Sequence, residues 1–543
     1  LSAALILLAG SSDQAGLRPL PANKTTNAVS VAPFSLTTNA SSGAQGALRS
    51  KPPPTRTVPG QIAVKLKSDS ATAKQLKQMA GADKAIRGQL GRNSEFGAFL
   101  SNHAVKAFSP AFRAAFGLKP KAKTTSGVDQ SKREALLRWC KVELPVEAEV
   151  KRALSELESH PAVECAELVY ERGLAQIIDP PITGLPDAST DPDIGFQWHH
   201  AVVRAQAAWN YLKQNGVSVG GSHDVVVAVI DSGVDASHPE LVGNMWANPR
   251  EIAANGIDDD GNGFIDDIHG GSVVSDARSH SGDSTDYYGH GTHVAGIIAA
   301  TAFNHLGGVG TAFNVQIMSV RAAQYSGNLT TTDISEAILY AVDNGAEVVN
   351  MSFGGYQRSQ IEIDALEVAL NRAVLVAAAG NDGLYSYDYP FYPAALPMVH
   401  GVMANNPPPF QDSQTWFSNY GYDMAAPGES IYSTLPGNRY AAWSGTSMAA
   451  PIVSGIAALM RSFYWQRDIY SSRFLMGALF SSGWDDFQGV MVVNAFKALS
   501  ELPKPGVTML ESWLFDDKGI SPRNDVDGRV DSGETIGLAI EVM

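Results

Sequence analysis

Along the second half of the chain, short apolar runs alternate with longer segments of helical period. VVVAVI (225–230), VQIMSV (315–320), VVNMSF (348–353) and VLVAAA (374–379) lack the polar alternation of a half-exposed strand. Runs of this kind suit strands buried on both faces of a parallel sheet. Between and after them lie THVAGIIAATAF, TTDISEAILYAVDNG, IEIDALEVALNRA and APIVSGIAALMRSFYW, each with apolar residues spaced for one helix face. The pattern predicts a doubly wound, mostly parallel α/β domain over residues 196–505, with its site at the carboxyl ends of the strands.

The first part of the chain has a different rhythm. QIAVKLK, WCKVELP and VECAELVY alternate as strands do, and ATAKQLKQMAG and VEAEVKRALSELESH read as helices. These predict a small α+β domain over 58–175, with an irregular basic stretch near 93–132. Residues 11–57 have the Ser, Thr, Asn and Pro content of a linker, and the proline-rich 176–195 that of a connector. The opening LSAALILLAG (1–10) has the character of the apolar part of an export signal. After residue 506 a single alternating strand begins and stops at Met543, which suggests the truncated start of a β-sandwich domain.

Charge sharpens the division. Residues 1–175 hold 24 Lys and Arg against 14 Asp and Glu, a net of +10, while the remainder carries −25. The basic front lacks a nucleic-acid-binding motif, so complementary docking on the acidic body is the better reading. No internal apolar run reaches the length of a membrane span. Cys140 and Cys165 are too few for a disulfide framework and do not form a CxxC pair; they could bridge or stay buried and free.

Three polar residues stand where chemistry is expected. Asp231 follows the first apolar run directly. His290 lies between two glycines at the start of a helical segment. Ser447 sits in SGTSMAAP, among residues with almost no side chain, where a helix N-terminus favours developing negative charge. Pro451 is expected in that helix's first turn, where its missing N–H costs nothing. His290 and His293 are three apart without the Glu of a zinc-protease helix, so His293 reads as a packed residue. The order Asp, His, Ser excludes the GxSxG lipases and esterases, which run Ser, Asp, His.

VIDSGVDASHPEL, GHGTHVAG and SGTSMAAP together resemble the motifs of the subtilisin-like serine proteases, the subtilases, over roughly 197–499. NMSFGG resembles that family's substrate strand and AAAGNDG its oxyanion segment. The resemblance implies a secreted serine endopeptidase. Ser447 would be nucleophile, His290 general base and Asp231 its orienting acid, with Asn381 an oxyanion donor. Ser352, Phe353 and Gly354 would pair with substrate, and Gly354 with Ala378 to Gly380 would wall a pocket for a large apolar residue before the cut. VPGQIAVKL and LESHPAVECAELVY resemble the family's inhibitory propeptide, which implies a self-processing zymogen cut between Arg172 and Gln197. The rival is a catalytically silent scaffold of the same fold, disfavoured because no triad member is lost. Ile452 stands where the family often has His, and Glu240 where an Asp often binds calcium.

No cofactor is required for this chemistry, and calcium is expected structurally. NGIDDDGNGFIDD begins like an EF-hand loop, with Asp258, Asp260, Asn262 and then Gly263. Position twelve is His269 instead of Glu, so Asp266 or Asp267 would have to close the site. A second acidic run, Asp525 to Glu534, repeats the theme. Protein or peptide substrates and the chain's own propeptide are the expected partners.

Overall fold

The computed structural model describes residues 51–74, 96–112, 127–145, 150–175, 177–178, 191–274, 280–408, 413–422, 424–485, 491–501, 509–515 and 537–542. The expected signal remnant, most of the linker and the acidic run 525–534 lie outside them.

A nine-stranded sheet forms the centre. Its inner order is Met424–Pro427, His400–Asn405, Val374–Ala378, Val348–Met351, Val226–Asp231, Gln316–Arg321 and Gly270–Ser272, every neighbouring pair parallel. The strands Val226–Asp231, Val348–Met351 and Val374–Ala378 are buried at every position, as their continuous apolar runs require. The helices His290–Ala299, Thr331–Asp343, Gln360–Ala369 and Thr446–Phe463 pack around this sheet. Thr330 caps one of them by accepting from the Asp333 amide.

The helix that carries the SGTSMAAP motif starts at Thr446, so Pro451 is its sixth residue and lies in the helix interior, past the expected first turn. The fourth residue before Pro451 is Ser447, whose carbonyl therefore loses its helical donor. Ser352 Oγ supplies the replacement, donating to Ser447 O at 3.0 Å.

Residues 57–174 build a second, antiparallel sheet. Strand Thr57–Leu66 lies between Trp139–Glu143 and Val163–Leu174, and Ala107–Pro110 pairs with Trp139–Glu143. Helix Val150–Glu158 buries Val150, Ala153 and Leu157 against it. The stretch 93–132, irregular to pattern reading, contains the short helix Gly97–Asn102, that edge strand and the start of helix Gly127–Leu136. Cys140 and Cys165 sit on strands either side of Thr57–Leu66 and are unbonded.

Opposite charge meets where the two parts touch. Lys65 pairs with Asp364 at 2.8 Å, Lys132 with Glu367 at 2.9 Å, Arg133 with Asp343, and Arg172 with Glu362 at 2.6 Å. In each pair the cation comes from the front segment and the carboxylate from the α/β body, as the charge division predicts. Glu167 reverses the signs: it accepts from the Gln360 and Ile361 amides and Ser359 Oγ, capping the N-terminus of Gln360–Ala369. Near the C-terminus, strands Met509–Phe515 and Gly537–Val542 pair antiparallel.

Candidate active site

Strand Val226–Asp231 ends with its acid at the carboxyl edge of the sheet. Asp231 is fully buried, and His290 Nδ1 lies 2.7 and 2.9 Å from its two oxygens. The Ser232 amide donates to Asp231 Oδ1 at 2.7 Å, so this carboxylate is held by both a ring N–H and a backbone N–H. Gly289 adopts φ +100° at the turn into helix His290–Ala299. An added Cβ on Gly291 would come within 2.0 Å of Gly233 O, which is why the histidine's helix can approach the acid's loop so closely.

Pattern reading passed over the residue that ties these two pieces together. Asp286 accepts from Ser232 Oγ through one oxygen and from the Thr292 amide and hydroxyl through the other. Ser232 Oγ in turn accepts from the Gly291 amide at 2.9 Å. An Asp four residues before a helix-initiating His is the available signal, since carboxylates concentrate at helix N-termini.

Ser447 is the second residue of helix Thr446–Phe463 and fully buried. Its hydroxyl donates to Ser352 O at 2.7 Å, while His290 Nε2 is buried without a partner. Asn381 Oδ1 accepts from both the Thr446 amide and hydroxyl, at 3.0 and 2.9 Å. This fixes the amide's orientation and leaves Nδ2 buried with no acceptor. His290 Nε2 and Asn381 Nδ2 are each a buried polar atom without a protein partner, of the kind that a reacting group could satisfy.

The cleft is filled by the chain itself. Strand Val163–Leu174 runs antiparallel between two strands of the body, with Leu174 opposite Phe353, Gly173 opposite both Gly354 and Asn328, and Arg172 opposite Leu329. Ala175 N donates to Ser352 O at 3.2 Å, and Ser447 N donates to Ala175 O at 3.0 Å. Beyond it, Ile177 and Ile178 pair with Ser444 and Trp443, so part of the expected connector is a strand. The residue seated before Ser447 is therefore the small Ala175, where a large apolar one was expected. The Phe391 ring stands where a Cβ on Gly354 or Gly380 would reach, and it narrows that pocket. Ala378 closes strand Val374–Ala378 beside it.

His293 donates its chemistry to packing. Nε2 lies 3.0 Å from Ala441 O, the ring stacks on Trp443 at 4.6 Å, and burial pushes its pKa down to about 3. Ile452 is fully buried in the core. Glu240 is buried between Asn304 Nδ2 and Tyr440 OH, and burial raises its carboxyl to about 7.

The acidic loop differs from expectation at two of four positions. Asp258 and Asp260 do converge, and Glu251 joins them, the three offering oxygens within 4.8 Å of one another. Asn262 is turned inward, donating to Asp267 Oδ2 and accepting from the Phe264 amide. Asp266 faces the other way, accepting from the Asn255 and Gly256 amides. Asp266 is held away from the three by these loop amides, while the Asn262 backbone amide donates to Asp258 Oδ1 and Asp260 Oδ1 at 3.0 Å and its side chain faces Asp267. Glu251 Oε2 is buried and has no partner, and Arg250 Nη2 pairs with Asp260 Oδ2 at 2.8 Å. Three hard oxygen donors with one left open fit calcium in kind.

The sequence profile described as "Subtilase family" matches residues 222–500, just over half of the 543 residues. The chain belongs to the subtilase family. Among its relatives, a thermophilic serine proteinase of Bacillus sp. (strain AK1) is 40% identical over 271 residues, which is 49% of this chain and 58% of that protein. Thermitase of Thermoactinomyces vulgaris is 36% identical over 263 residues, 48% of this chain and 80% of thermitase. Halolysin of Haloferax mediterranei is 37% identical over 276 residues, 50% of this chain but 46% of halolysin. This subtilase thus spans well under two thirds of two of these three relatives. Its front segment, including strand Val163–Leu174, lies before the matched residues 222–500.

Proposed function

We propose that this subtilase is a secreted serine endopeptidase made as a self-processing zymogen, with residues 58–175 as its inhibitory propeptide. The observation that carries the proposal is the seating of the Ala175 carbonyl on the Ser447 amide, in a cleft where Asp231 and His290 are already paired. In this reading Ser447 Oγ changes its χ1 rotamer, leaves Ser352 O and attacks the carbonyl carbon as His290 Nε2 takes its proton. The Ser447 amide and Asn381 Nδ2 donate to the oxyanion. The C–N bond then breaks, His290 gives the proton to the leaving amine, and water hydrolyses the acyl-serine by the same relay. Asp231 holds the imidazole tautomer throughout.

The same geometry supports Ala175–Gln176 as the processing bond, within the range expected from sequence. Purified protein should yield a mature form whose N-terminus is Gln176, and a fluorophosphonate should label Ser447. Absence of labelling in the processed form would overturn the endopeptidase reading. Asn381→Ala should lower kcat about 10²–10³-fold with KM little changed, since its donor is aimed at charge that develops only in the transition state. Export is supported by the apolar opening LSAALILLAG, and among the described residues no helix is long and apolar enough to cross a membrane.

Calcium would be held by Glu251, Asp258 and Asp260, and would stabilise the loop without entering the chemistry. At a hundredfold excess over Kd it would add about 2.7 kcal/mol. For a catalytic domain of about 310 residues, with an unfolding entropy near 2.1 cal/mol/K per residue, that raises Tm by roughly 4 °C. Thermal melts of the Ser447→Ala protein with calcium or with chelator should differ by this amount, and Asp258→Ala should abolish the difference.

A further inference from the structure

Arg172 is the fourth residue before the Ala175–Gln176 bond, and it is 2% exposed. Its Nη2 donates to Glu362 Oε2 at 2.6 Å and to Gln357 O at 2.7 Å. Glu362, in the first turn of helix Gln360–Ala369, is 1% exposed. The guanidinium fits because Gly355 has no side chain: a Cβ there would stand 3.0 Å from Nη1 and 3.3 Å from Cδ. The backbone pairing of Arg172 with Leu329 sets its register, so any strand that enters the cleft as this one does puts its own fourth residue at Glu362.

A buried carboxylate with a buried guanidinium is stable only as a pair; either partner left alone keeps its desolvation cost and loses its attraction. Once the front segment leaves, Glu362 and the Gln357 carbonyl form an anionic pocket with one open side. We infer that Glu362 makes this enzyme select peptides with arginine four residues before the scissile bond. The inference rests on the endopeptidase reading and adds a specificity determinant to it. Arginine is favoured over lysine because its longer side chain carries Nη2 to both acceptors, and because a guanidinium is more weakly hydrated than an ammonium and so costs less to bury.

The test uses the processed protein and the octapeptide ERGLAQII, alongside analogues with Leu, Ala or Lys in place of Arg. Wild type should cleave the Arg peptide with kcat/KM about thirtyfold or more above the Leu and Ala peptides, the low end for removing one partner of a buried charge pair. The double variant Glu362→Leu with Arg172→Leu keeps the front segment matched to the pocket. It should prefer the Leu peptide instead. Equal cleavage of Arg and Leu peptides by wild type, or an Arg preference that survives in the double variant, would overturn the inference. If that variant does not fold, the wild-type ratio decides alone. Failure of the parent reading looks different: neither peptide is cut and Ser447 is not labelled by fluorophosphonate, and the inference falls with it.

Discussion

The Ser447→Ala protein is expected to accumulate at full length, with no species beginning at Gln176, and to lose activity on peptides by about 10⁶-fold in kcat/KM. The loss follows from geometry. Ala175 O already sits 3.0 Å from the Ser447 amide, and this amide survives the substitution, so the strand stays seated while the hydroxyl proposed to attack it is gone. Folding should change little. The deleted hydroxyl donates to Ser352 O, which keeps the Ala175 amide as a donor, and the small Cβ remains packed in the buried helix start. Melting within a few degrees of the wild-type precursor, together with an intact chain on mass spectrometry, is the expected result. Appearance of the processed species in protein free of other proteases would show that another agent makes the cut.

How far these features could be read beforehand depends on whether they are local. The buried strands were legible because their side chains meet helices on both faces, which leaves no room for polar alternation in VVVAVI or VLVAAA. That Asp231, His290 and Ser447 stand at element ends was legible through motif resemblance. Pro451 was misplaced because its rescue is non-local: the carbonyl it orphans is satisfied by Ser352, ninety-five positions away in the chain. The acidic loop was half legible for a related reason. Alternation of Asp and Asn says that oxygens crowd together, yet it does not say which turn outward; Asn262 and Asp266 are claimed by Asp267 and by two loop amides, and Glu251 precedes the motif altogether. The strand at Ile177–Ile178 was hidden in a proline-rich stretch, since its pairing partner is Trp443–Ser444 and nothing in its own sequence announces an edge.

The pairing of Arg172 with Glu362 belongs to the same class. Net charge foretold that the basic front would meet the acidic body, and among the described residues four ion pairs of that sense are present. Which of those pairs lies in the cleft follows only from register. Three of them tie one folded layer to another. Arg172 alone lies in the strand that threads the active site, between residues 328–330 and 353–354, so only its partner can be met again by a different chain.

Asp231→Asn should leave the cleft intact and reduce kcat by about 10⁴-fold. The Ser232 amide points at Asp231 Oδ1 and can be met only by an oxygen, so an Asn in this place must keep its carbonyl there. Its carbonyl then holds the Oδ1 place, 2.7 Å from His290 Nδ1, and its NH₂ the Oδ2 place at 2.9 Å. Nδ1–H so faces a repelling donor beside an acceptor that has lost its charge, which favours the tautomer with the imidazole proton on Nε2. A protonated Nε2 cannot take the Ser447 proton, and the relay stops at its first step. Fluorophosphonate labelling of Ser447 should slow in parallel with kcat, because both need the same proton transfer, while KM for a peptide stays near wild type because Ser352, Phe353 and Gly354 are untouched. A loss smaller than about tenfold would mean that the Asp231–His290 contact orients nothing in the rate-limiting step.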